Sequence, residues 1–103
     1  MIHILLNNTL VADATYTGDT IQTKRAYDES GVYQLTSSAG AATAFKVQGR
    51  VTADMSWHDI VSETGSPLAT TMSDTITIYP EMRALVTSSG GGTTNTFIVA
   101  LME

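Results

Sequence analysis

TAFKVQGRVTADMSWHDIVSE, residues 43–63, is the stretch that decides the fold. Phe45, Val47, Gly49 and Val51 alternate with Lys46, Gln48, Arg50 and Thr52. A period of two with one apolar and one polar side marks a half-buried strand. Ala53-Asp54-Met55-Ser56 breaks the alternation, and Trp57 opens a second run, WHDIV. A long amphipathic strand, a short polar turn and a return strand predict a hairpin. Trp57 is the single tryptophan of the chain, and this reading makes it the anchor of the core.

Working outward, short strands recur with turn residues between them. Towards the C-terminus, DTITIY at 74–79 places Ile76 and Ile78 inward and Thr75, Thr77 and Tyr79 outward. Pro80-Glu81 turns the chain, and MRALVT at 82–87 returns. SSGGGTT at 88–94 reads as a glycine-rich hairpin loop. Residues 62–73 form a connection around Gly65, Ser66 and Pro67, with a short strand near 68–71. Pro67 argues against a central strand there. Towards the N-terminus, VYQLTSS at 32–38 is a strand with Tyr33 and Leu35 on one side, followed by the small-residue loop 39–42. RAYDESG at 25–31 is a charged loop, TIQTK at 20–24 a short strand, and 12–19 a loop. Residues 1–12 form an N-terminal arm or edge strand, with Ile2, Ile4 and Leu6 facing one way and His3 and Leu5 the other. About eight short strands and no helical stripe predict a single all-β domain over 1–103, an antiparallel β-sandwich or jelly roll.

The last strand, TFIVALM at 96–102, does not alternate. Phe97, Val99 and Leu101 fill one face, while Ile98, Ala100 and Met102 make the other apolar as well. A strand apolar on both faces is covered on both faces. The cover is either a loop of the same chain or a neighbouring subunit, and the subunit is the favoured alternative.

Composition points the same way. Charged residues are 15% of the chain, against about 25% in ordinary soluble domains, and interface cores are depleted in charge. The formal charge is −5 with five Lys and Arg, of which only Lys24 and Arg25 adjoin. Nucleic acids and acidic membranes are therefore poor partners. There is no cysteine and no apolar run of 18 residues, and MIHILLNNTLVA lacks the basic start and cleavage pattern of a signal peptide.

Chemistry is sparse. Ser56, His58 and Asp59 lie close in sequence, but on one strand Ser56 and His58 share a face and Asp59 points away, so no relay forms. His58 reads as an outward strand residue and His3 as a solvent-facing or edge-strand residue. Asp54, Asp59, His58 and Glu63 lack the spacing of a calcium loop or zinc site, and Gly90-Gly91-Gly92 is not followed by the Lys of a phosphate loop. No catalytic, metal or cofactor residue is assigned, and an enzyme is not expected. Tyr16, Tyr27, Tyr33, Tyr79 and Trp57 pack in the core or an interface, or stack on sugars if exposed.

Residues 43–103 carry a recognisable pattern. Val47-x-Gly49-x-Val51 is followed by Asp54-x-x-Trp57-x-Asp59-Ile60, Thr75-Ile76-Thr77, Tyr79-Pro80-x-Met82-Arg83-x-x-Val86-Thr87, a glycine-rich turn, Thr94 and a final apolar strand. This resembles small β-sandwich structural proteins of tailed bacteriophages, some of which are head decoration or cement proteins. Related carbohydrate-binding and tail-fibre modules often turn through Asp-Gly before an Asn-Trp pair, where this chain has Asp54-Met55-Ser56-Trp57. The resemblance implies a virion protein on the capsid exterior, made in the host cytoplasm, a homotrimer that binds the major capsid protein. Its alternative is a tail, fibre or receptor-binding module that binds glycan. The expected contacts are Ile2, Ile4 and Leu6 with Phe97, Ile98, Val99, Ala100, Leu101 and Met102.

Overall fold

A computed structural model describes residues 2–10, 15–23, 29–38, 42–65, 68–88 and 95–103. The charged run at 24–28, the small-residue loop at 39–41, Ser66-Pro67 and the glycine-rich loop at 89–94 lie outside the described residues.

The described residues are all-β. The strands are β1 (Ile2–Leu10), β2 (Thr15–Thr17), β3 (Ile21–Gln22), β4 (Glu29–Ser37), β5 (Ala42–Arg50), β6 (His58–Thr64), β7 (Thr71–Ile78), β8 (Glu81–Ser88) and β9 (Asn95–Met102). They form two antiparallel sheets. One has four strands in the order β1-β9-β4-β7; the other has five, in the order β2-β8-β5-β6 with β3 also on β8. The predicted hairpin is β5–β6, in which Phe45 pairs with Glu63 and Val47 with Val61.

Alternation explains the core. Phe45 and Val47 of β5 and Met82, Ala84 and Val86 of β8 point inward from the five-stranded sheet. Tyr33, Leu35, Ile76, Ile78, Phe97, Val99 and Leu101 meet them from the four-stranded sheet. Phe45 is fully buried, and its ring lies 5.6 Å from that of Tyr33 across the sandwich.

Four expectations need correction. Trp57 is not the core anchor: it is half-exposed, lies just before β6 and is absent from the buried cluster. Leu5 and Leu6 are both buried, although strict alternation puts them on opposite faces. The register slips between Ile4, opposite Ala100, and Leu6, opposite Val99. That bulge adds one residue to β1 and turns both leucines into the core. The stretch 12–19 holds a strand, β2, whose residues are all exposed and so show no alternation. Tyr79 packs against the core instead of facing solvent, because its ring covers Gly49.

That last contact explains a glycine inside a strand. A Cβ on Gly49 would sit 2.7 Å from Tyr79 Cγ. Gly49→Ala is expected to destabilise by about 1–3 kcal/mol, through displacement of the ring. Thermal melting checks this; an unchanged melt would mean that Tyr79 relocates freely.

Candidate functional site

Two sheet faces look outward, and they differ in character. The outer face of the four-stranded sheet carries no charged side chain among the described residues. Its pairs are Ile2 with Met102 and Ile4 with Ala100, then Met102 with Val32 and Ala100 with Gln34, then Val32 with Thr75 and Gln34 with Ser73. Ile98 continues the stripe between Asn7 and Thr36. Ile2 is 67% exposed, Met102 51%, Ile4 49%, Ile98 38% and Val32 37%. A shallow depression of about 170 Å³ runs between Ile2, Val32, Gln34, Ala100 and Met102. Large aliphatic side chains thus stand side by side on three neighbouring strands, β1, β9 and β4. Single exposed apolar residues are ordinary; a contiguous group on one face marks an interaction surface.

The nine residues expected at an interface divide by strand phase. Ile2, Ile4, Ile98 and Met102 are exposed and Ala100 is half-buried on this outer face. Leu6, Phe97, Val99 and Leu101 are buried in the chain's own core, so they are unable to contact a partner in this fold. The described part of the chain lays no segment over the outer stripe. Val32 was not among the expected contacts, although its phase opposite Tyr33 and Leu35 carried the signal.

The outer face of the five-stranded sheet is polar and cross-linked. Gln22 Nε2 donates to Glu81 Oε2 (2.8 Å), and Arg50 Nε donates to Glu81 Oε1 (2.7 Å). The guanidinium carbons of Arg50 and Arg83 each lie 4.2 Å from the Trp57 ring centroid. Arg83 Nε donates to Gln48 Oε1 (2.8 Å), Gln48 Nε2 donates to Asp59 Oδ1 (2.7 Å), and Lys46 Nζ sits 3.2 Å from Asp59 Oδ2. The chain of contacts thus ties β3, β8, β5 and β6 together, and Trp57 serves as a plate for two cations. The alternation of Lys46, Gln48 and Arg50 pointed to this polar face, but which cation meets which acid depends on strand register.

The network sets the charges. Hydrogen bonds from Gln22 and Arg50 hold the Glu81 carboxyl below its ordinary 4.5. Those from Gln48 and Lys46 hold Asp59 below its ordinary 3.8. Burial, then the neighbouring Arg50, lowers Arg83 from its usual value. Carboxyls with depressed folded values add stability above their unfolded values and lose it as the pH falls through the folded ones. Stability is therefore expected to drop as the pH falls below about 4.5, with a shallower drop in an Asp59→Asn, Glu81→Gln double variant. Melting temperature against pH is the readout, and parallel curves would refute the contribution.

No catalytic relay is assembled from the residues singled out in the sequence. Asp59 is held by Gln48 and Lys46, and the His58 ring lies against Tyr79 with centroids 6.0 Å apart. Among the described residues, no group of three His, Asp or Glu is placed to hold a metal ion. His3 lies on the edge strand β1 with its side chain mostly buried, Nε2 3.3 Å from Glu103 Oε2. A groove of about 490 Å³ opens between β6 and β7, lined by Tyr33, Glu63 and Asp74 among others. Burial first, then Asp74 and Glu63, raise the Tyr33 hydroxyl above its ordinary value, which keeps it a neutral donor. Comparison with protein-family models, with curated proteins and with solved structures gives no match.

Proposed function

We propose that the protein is a structural component of a bacteriophage virion, a head decoration or cement protein on the capsid exterior. In this reading it seats the outer face of its four-stranded sheet on the major capsid protein and on further copies of itself, with a trimer as the favoured assembly. The observation that supports it is the uncharged outer face on which Ile2, Ile4, Val32, Ile98 and Met102 stand exposed together. The resemblance over residues 43–103 supplies the phage context. Covering that face would contribute about 25 cal/mol per Å² before the costs of association. Saturable binding of the purified protein to capsids lacking it, with stabilisation of the shell, is the expected result. A protein that stays monomeric by light scattering and ignores the particles would overturn the reading.

A second reading, a tail or receptor-binding module stacking a glycan on Trp57, draws support from the half-exposed ring. It ranks lower because the other described rings do not gather beside Trp57: Tyr33 is in the core and Tyr79 covers Gly49. Glycan-array binding abolished by Trp57→Ala would promote it.

A further inference from the structure

All three cations of the described residues, Lys46, Arg50 and Arg83, stand on the outer face of the five-stranded sheet. Two of them have a carboxylate: Lys46 has Asp59 and Arg50 has Glu81. Arg83 has none among the described residues. Its Nε is taken up by Gln48, and its guanidinium lies against Trp57 beside the like charge of Arg50. Among the described residues, the two terminal nitrogens of Arg83 have no hydrogen-bond acceptor. A guanidinium presents five donors in a rigid fork, and with Nε occupied the end-on edge remains, which matches a carboxylate bidentately.

From this geometry we propose that the Arg83–Trp57 corner is a docking point for a carboxylate on an acidic protein segment. Three observations converge on that occupant. First, the polar network holds three cations against two carboxylates, a positive patch on a chain whose formal charge is −5. Acidic partners are steered to such a patch and repelled by the rest of the surface. Second, Trp and Arg are among the residue types enriched at binding hot spots, and here Arg83 lies 4.2 Å from the centroid of a half-exposed Trp57. Third, none of the four cavities of about 170–490 Å³ found among the described residues is lined by Arg83, Arg50 or Trp57. Small molecules take concave sites, so a guanidinium–indole contact outside these cavities fits a protein segment better than a small ligand.

The site lies on the opposite sheet from the apolar face discussed under the proposed function. Either can fail without the other.

Trp57 is the only tryptophan, so its emission reports occupancy directly. The test titrates the full chain with a peptide of about ten glutamates, alongside a lysine peptide and glucuronate. Saturable, salt-sensitive binding of the glutamate peptide is expected, weakened at least about tenfold in Arg83→Gln. Arg83→Lys keeps the charge without the fork and should recover only part of the affinity. Glu63→Gln, at the other end of β6 from Trp57, should bind as the parent does. Circular dichroism of each variant separates lost binding from lost fold, and Arg83→Lys carries the test if Arg83→Gln does not fold. Equal affinity of Arg83→Lys and the parent, no saturation by about 1 mM peptide, or tighter binding of glucuronate than of peptide would each overturn the proposal.

Discussion

Phe45→Ala is expected to cost about 3–5 kcal/mol of folding stability, while Trp57→Ala costs only about 1–2 kcal/mol. The larger aromatic is the less important one here. Phe45 is fully buried between the sheets and touches the Tyr33 ring, so its removal leaves a cavity that the flanking strands close only in part. Trp57 is half-exposed and stacks on two guanidiniums, contacts of about 0.5–1 kcal/mol each at an exposed site. Against a typical stability of about 5–15 kcal/mol, the first loss is a large share of the whole and the second is not. Denaturant unfolding followed by circular dichroism separates them. A Trp57→Ala protein as unstable as Phe45→Ala would return the tryptophan to the core and overturn the assignment of its surroundings.

An Ile4→Asp, Ile98→Asp double variant is expected to fold as the parent does and to lose capsid binding by about 100-fold or more. Both side chains are exposed in the isolated chain, so a carboxylate at either place stays hydrated, and surface substitutions of this kind stay within about 0.5 kcal/mol. Once the face is covered, each carboxylate is stripped of water with no cation opposite, a penalty of several kcal/mol at about 1.4 kcal/mol per factor of ten. Leu101→Asp provides the contrast, because Leu101 is buried and its replacement should prevent folding outright. Particle occupancy after mixing, read beside the melting curve of the free protein, distinguishes the two effects. Undiminished occupancy of the double variant would remove this face from the binding reaction.

The strands that were legible in advance are those with one wet and one dry side. The hairpin of β5 and β6 and the inward phase of Ile76 and Ile78 were carried by alternation; β9, apolar on both sides, was divided into Phe97, Val99 and Leu101 against Ile98, Ala100 and Met102 by the pleat alone. What alternation cannot carry is a break in itself. β1 carries a bulge between Ile4 and Leu6, inside the apolar run Ile4-Leu5-Leu6, where alternation has no polar residue to mark the phase. β2 has no buried position, so it left no apolar signal. Trp57 was misplaced for another reason: ring size tells how much area is available to bury, not where the burying surface is.

The one-dimensional pattern determined that this chain forms an antiparallel β-sandwich and that its last strand is apolar on both sides, because side chains alternate across a pleated strand whatever its neighbours are. Only the folded molecule decided that β1, β9 and β4 lie side by side, so that their spare aliphatic residues merge into one uncharged face. It likewise decided that Arg50 and Arg83, from separate strands, converge on Trp57. Strand order and register join residues distant in sequence, and those follow from the closure of the whole core rather than from any local preference.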